Sequence, residues 1–331
     1  MLRYGINLML WADDMEESLL PVLESAKKMG YDGVEVPLFD LDPAKWARWG
    51  RRLDDLGLER TANHVIAPEF DPVSPDPLVR QAAYDHMKQV VDCCDVVGAK
   101  VLAGPHQIAL GVFSGRAPTD DEWKRSVDHI RRVGEYAAPS GLTLTEEVVN
   151  RFELYLLNTL EQASRFVDQV GLSNVRIHMD TFHSNIEEKL PGEAIKAAGS
   201  RIGYVHISEN DRGVPGSGHV AWDATFEALR EIGYDGWLTV ESFGDTLPNL
   251  TAATKVWRPL FQSQEQVARE GLAFMKRKVA EHHLGAVVTG KPIGIGAARE
   301  ERIPRGAAVG LDRLGREPST APRGRRRSSR P

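Results

Sequence analysis

Apolar positions along the chain follow two alternating patterns. Three-or-four-residue steps, as in Leu19, Leu23, Ala26, Met29 and in Leu272, Met275, Val279, predict amphipathic helices. Short continuous apolar runs between them predict strands covered on both faces. Each helical pattern closes on a glycine, and an apolar run follows within a few residues. The junctions are Gly30, Gly57, Gly98, Gly141, Gly171, Gly199 and Gly233. Glycine is expected there because helices commonly stop at a residue with positive φ. Seven junctions plus the opening run give eight strands, near 4–10, 33–38, 59–64, 100–104, 142–148, 174–180, 202–207 and 237–241. Ser74-Pro75-Asp76-Pro77 predicts a helix start ahead of Leu78–Val97. Eight β-α units in about 280 residues predict a single-domain α/β fold, a (β/α)8 TIM barrel. An open doubly wound sheet would normally carry a Gly-rich phosphate loop after its first strand, and none is present.

Charge divides the chain. The net charge is -6, but Gly285–Pro331 holds ten Arg and one Lys against four acids, a net of +7 that leaves -13 on residues 1–284. The domain reading follows: a barrel over 1–284 and a disordered, Gly/Pro/Arg-rich basic tail over 285–331, with no aromatic residue and too little apolar surface to offset ordering entropy. The acidic body disfavours nucleic acid and anionic membranes as partners. No apolar run reaches membrane-spanning length, and no leader is visible at the start. Cys93 and Cys94, adjacent in a helical pattern, exclude a disulfide scaffold and favour a reducing, cytoplasmic setting.

In such a barrel the chemistry sits where strands end. Four neighbouring strands each deliver an acid or histidine there: Glu147, Asp180, His206 and Glu241. Three carboxylates cannot share one space without a cation or shared protons. With one imidazole they suit a divalent ion such as Mn2+, Co2+ or Mg2+ better than a structural zinc. A rim salt-bridge network with Arg151, Arg176 and Arg212 is the alternative that the pattern leaves open.

Four runs carry a resemblance: EVVNRFE at Glu147–Glu153, MDTFHSNIEE at Met179–Glu188, HISENDRGVPGSGH at His206–His219, and VESF at Val240–Phe243. They resemble the ketose 3-epimerases (D-tagatose, D-allulose or psicose, and L-ribulose 3-epimerases) of the xylose-isomerase-like barrel superfamily, over Tyr4 to about Val279. The resemblance implies a divalent metal on the same four residues and a small-molecule sugar substrate. It also implies substrate contacts from Glu153, His183 and Arg212, apolar walls from Trp11 and Phe243, and a homodimer or homotetramer. Where the family often has an aromatic residue, this chain has Asn7. Its third strand ends Asn63-His64, and Ser242 follows Glu241 where relatives often have proline. Asn7 and His64 are therefore read as facing the distal half of the sugar, with a capped rim histidine as the equal alternative for His64.

Inverting the carbon beside a ketone needs a proton removed from one face and one returned to the other. Glu147 and Glu241 are expected to supply these two groups, through a cis-enediolate whose oxygens a cation stabilises. No phosphate-grade basic cluster lies at the rim, so a free ketose is expected. The competing activities are an aldose-ketose isomerase on the same barrel, a non-catalytic sugar-binding subunit, and a barrel endonuclease, which the acidic body and scarce rim histidines disfavour.

Overall fold

The computed structural model describes residues 1–285. All of the basic tail beyond Gly285, residues 286–331, lies outside the described residues. The eight strands are β1 Arg3–Asn7, β2 Gly33–Pro37, β3 Glu59–Asn63, β4 Val101–Gly104, β5 Thr143–Glu147, β6 Val175–Asp180, β7 Ile202–Ile207 and β8 Trp237–Val240. They pair in parallel in chain order and close, β1 against β8, into a barrel. This is the (β/α)8 TIM barrel that the unit count predicts.

Around it run α1 Leu20–Met29, α2 Pro43–Leu56, α3 Pro77–Val97, α4 Asp120–Ala137, α5 Leu160–Val170, α6 Thr181–Glu187, α7 Pro191–Ala198, α8 Trp222–Glu231, α9 Pro248–Thr254 and α10 Gln264–Glu281. All seven junction glycines have positive φ, from 59° at Gly199 to 95° at Gly30. The Ser-Pro-Asp-Pro signal holds as well: the Asp76 side chain accepts from the Leu78 N–H at 2.8 Å and starts α3. Leu23, Trp46, Phe166 and Phe226 are fully buried among the core side chains. Cys93 and Cys94 are buried free thiols on α3, and burial pushes the Cys93 thiol up to about 11, away from reactivity.

The first strand is shorter than the pattern predicts. Asn7 ends it by accepting the Met9 N–H on Oδ1 at 2.9 Å, which turns Leu8–Leu10 into a single 3-10 turn. A side-chain acceptor thus overrides an apolar run that reads as extended. Two short helices, α6 and α9, follow closely on β6 and β8.

α4 begins with a capping box. Thr119 Oγ1 accepts from the Glu122 N–H, and the Glu122 carboxylate accepts from the Thr119 N–H at 2.7 Å. Arg116 and Tyr155 also donate to that carboxylate. Burial works against its charge, but these bonds prevail and bring Glu122 down to about 2. A depressed carboxylate stabilises the fold above its unfolded value, near 4.5, and that contribution fades as pH falls through about 2. Thr119→Ala is expected to cost about 1 kcal/mol in a urea titration at pH 7. Glu122→Gln should remove the part of the acid sensitivity seen between pH 4.5 and 2, as the wild type and variant midpoints converge there.

Candidate metal centre and active site

Inward and outward positions alternate along each strand, so residues two apart share the barrel interior. On β7 these are Tyr204 and His206, and on β6 they are His178 and Asp180. Tyr204 forms a floor: its hydroxyl bridges Thr61 Oγ1 and Thr239 Oγ1 at 2.8 Å each. One layer above, Asp180 pairs in register with His206 across β6 and β7. Glu147 closes β5, and Glu241 follows the last residue of β8. One donor atom each from Glu147, Asp180, His206 and Glu241 lie within 4.8 Å of one another. The four residues assigned from strand ends are therefore brought together.

Local features aim two of these four side chains. Asp180 caps α6 through Oδ1, accepting from Phe182 and His183 N–H at 2.5 and 3.3 Å, which leaves Oδ2 facing the centre. His206 Nε2 meets Glu35 Oε1 at 3.0 Å, which turns Nδ1 inward. That Nδ1 is buried without a hydrogen-bond partner, 3.3 Å from Glu241 Oε1 and 3.6 Å from Asp180 Oδ2. An orphaned imidazole nitrogen facing three carboxylates is a donor set for a hard or borderline divalent cation, and the residues fit one. A carboxylate behind a ligating histidine is the usual way such a ring is oriented.

The electrostatics call for positive charge at the same point. Burial raises Glu241 above the ordinary carboxylate range. Asp180 is equally buried, yet Arg212 and His206 beside it hold it well below that range. Burial opposes a charge on His206, but Glu241, Glu35 and Asp180 together hold its value well above normal.

Arg212 occupies the left-handed region, φ 68°, in the loop after β7. Its Nη1 donates to Asp180 Oδ2 at 2.8 Å, Glu241 Oε2 at 2.6 Å and Ser208 Oγ at 3.0 Å. Its guanidinium carbon lies 3.9 Å from the Phe182 ring centre and 5.2 Å from that of Phe243. His183 Nδ1 accepts from the Asn150 side chain at 2.8 Å, and its Nε2 sits 3.4 Å from Glu147 Oε1. Asn150 also donates to Glu153 at 2.7 Å. Of the predicted rim pairings, Arg151 goes to Glu187 and Arg176 to backbone carbonyls, and Arg212 alone of the three reaches the acidic centre.

A cavity of about 110 Å³ opens onto this cluster. Glu147, Glu153, His183, Arg212 and Glu241 line it, with Asn63 and apolar walls that include Met9, Phe39, Phe243 and Leu250. The structure places two other predicted contacts, Trp11 and Asn7, elsewhere, and gives His64 the capped alternative. Trp11 lines a separate cleft with residues of α1 and α10. His64 is buried with Nδ1 against Leu38 O at 2.8 Å and Nε2 against His86, and burial brings it down to about 3, so it is a neutral, capped histidine. Asn7 turns its amide onto Glu35 and Glu241 and is not part of the cavity wall.

Two residues of the interior were not singled out from the sequence. Glu35 sits in Val34-Glu35-Val36, and a lone acid inside a fully covered strand is itself a signal, since a buried charge needs a partner. His178 lies under Glu147, 3.8 Å from Oε2, and edge-on to His206. Nothing in the sequence separates it from any other strand histidine.

Residues 23–278 match the model of the xylose isomerase-like TIM barrel. The chain is 34% identical to an L-ribulose 3-epimerase of Mesorhizobium japonicum, over 83% of this chain and 93% of that protein. It is 31% identical to a D-psicose 3-epimerase of Ruminiclostridium cellulolyticum, over 85% and 99% of the two chains. A crystal structure of a D-allulose 3-epimerase from Methylomonas sp., in complex with D-allulose, superposes with a TM-score of 0.79 at 33% identity, covering 84% of this chain and 97% of that one. The chain belongs to the xylose isomerase-like TIM-barrel family and, within it, to the ketose 3-epimerases. It is accordingly an isomerase.

Proposed function

We propose that this protein inverts C3 of free ketoses, of the ribulose/xylulose, allulose/fructose or tagatose/sorbose type, with a divalent metal and with Glu147 and Glu241 as the acid-base pair. The observation that carries the reading is that two carboxylates from β5 and from beyond β8 line one cavity and also belong to one metal-competent cluster. Glu147, Asp180, His206 and Glu241 would hold the ion, for which we favour Mn2+ over Co2+ or Mg2+. When bound it supplies Lewis-acid stabilisation to charge developing on the substrate oxygens at C2 and C3.

The residues themselves do the rest. One glutamate takes the C3 proton, giving a cis-enediolate, and the other returns a proton to the opposite face. The C3 configuration of the substrate decides which acts first. Arg212 and His183 donate toward the oxygens of C1–C3, and Glu153 holds Asn150, which in turn fixes the His183 ring. Phe243 and Met9 form part of the apolar wall against the carbon chain. Among the described residues, Arg212 is the one Lys or Arg side chain on the cavity wall and is engaged by Asp180 and Glu241, which favours a free sugar over a sugar phosphate. No described helix is long and apolar enough to cross a membrane. We read the enzyme as a cytoplasmic homodimer or homotetramer with no nucleic-acid partner.

The test is a panel of allulose, fructose, tagatose, sorbose, ribulose and xylulose with Mn2+-loaded protein in deuterated water. The expected products are C3 epimers carrying deuterium at C3. Formation of aldoses alone would replace this reading with an aldose-ketose isomerase.

A further inference from the structure

The side chain of Asn7 is fully determined by its surroundings. The Met9 N–H can only donate, so the amide atom 2.9 Å from it is Oδ1. Nδ2 therefore points inward, and its two hydrogens go to Glu35 Oε1 at 2.7 Å and Glu241 Oε1 at 3.0 Å. The same two carboxylate oxygens flank the His206 ring, Glu35 Oε1 at Nε2 and Glu241 Oε1 beside Nδ1. Glu35, Asn7, Glu241 and His206 thus form a closed ring across β1, β2, the end of β8 and β7, and all four are buried.

We propose that Asn7 is a positioning residue of the metal centre: by bridging Glu35 and Glu241 it locks the orientation of both ligands in the ring, Glu241 directly and His206 through Glu35. The inference rests on the metal reading of the site. Without the bridge, Glu35 Oε1 keeps only His206 and a 3.5 Å contact from Asn63, and Glu241 Oε1 keeps only the nitrogen that must serve as a ligand. Arg212 on Oε2 would then set the Glu241 carboxyl plane alone. A group that orients ligands from behind affects metal affinity and turnover more than sugar affinity.

Three variants separate this role from the turn that Asn7 also caps. Asn7→Ala removes both functions. Asn7→Ser keeps an oxygen for the Met9 N–H but cannot donate to two carboxylates. Glu35→Gln breaks the ring from its other side. Mn(II) binding to metal-stripped protein is read by electron paramagnetic resonance, alongside kcat and KM for the best ketose.

The expected result is an Mn(II) dissociation constant raised about 10- to 100-fold in both Asn7 variants, with kcat lowered and KM little changed. The loss in Asn7→Ala/Glu35→Gln should be smaller than the product of the single losses, because both act on one ring. Wild-type affinity in Asn7→Ser would overturn the proposal, leaving Asn7 as a turn cap only. Independent, multiplying losses in the double variant would overturn it too. If Asn7→Ala does not fold, Asn7→Ser carries the test. Wild-type protein that takes up no Mn(II) would overturn the metal reading itself, and this proposal with it.

Discussion

Replacing Glu241 with glutamine is expected to abolish C3 inversion, with kcat lower by about 10²- to 10⁴-fold, the range for loss of a positioned acid-base group. Glu147→Gln should do the same. The substitution is nearly isosteric, so loss of activity with an unchanged melting temperature separates chemistry from folding. Glutamine at 241 still accepts from Asn7, but it neither takes up a proton nor draws positive charge to the centre. Metal-free protein should not be destabilised, because the change removes one of several crowded carboxylates. A product assay by chromatography on both variants decides the point. Turnover unchanged in both would mean that this pair is not the catalytic one.

Stripping the protein with a chelator is expected to abolish turnover, and restoring Mn2+ to recover it. The same addition should raise the melting temperature. A ligand at 100 times its dissociation constant stabilises the folded state by about 2.7 kcal/mol, which moves the melting point of a protein this size by several degrees. The physical source is the cluster itself. Glu147, Asp180 and Glu241 converge with Arg212 as the cation among them, and His206 Nδ1 is left without a hydrogen-bond partner. A bound divalent ion would satisfy that nitrogen and offset the carboxylate charge. Full activity in metal-free protein, verified by elemental analysis, would refute the assignment.

Much of the architecture was legible because it rests on local physics. The three-or-four-residue steps, the continuous apolar runs and the seven glycines each report the conformation of their own segment, and the barrel follows from counting them. The convergence of Glu147, Asp180, His206 and Glu241 was legible for a related reason. Closure of the barrel carries every strand end to one rim, so residues at strand ends must meet whatever their separation in the chain. Phe243 and Arg212 likewise sit in loops that leave that rim.

The side chains that turn away from the cavity share a cause of their own. Asn7, His64 and Trp11 all stand at or just beyond strand ends, where position alone suggests a substrate contact. Strand-end position does not say where the last side chain turns. The Met9 N–H captured the Asn7 oxygen and set its amide behind the site. The Leu38 carbonyl and His86 captured His64, and a 3-10 turn carried Trp11 toward α1 and α10. Each outcome was decided by a hydrogen bond or turn geometry that hydrophobic patterning does not encode.

The sequence by itself determined the barrel, the order of its strands and which four side chains, the candidate ligands, meet at its rim, because periodicity and strand-end position are properties of the chain. The tertiary structure alone decided how those ligands are aimed. Glu35 meets His206 across 171 positions, and Asn7 meets Glu241 across 234. Contacts of that range exist only once the barrel has closed and set β1 beside β8.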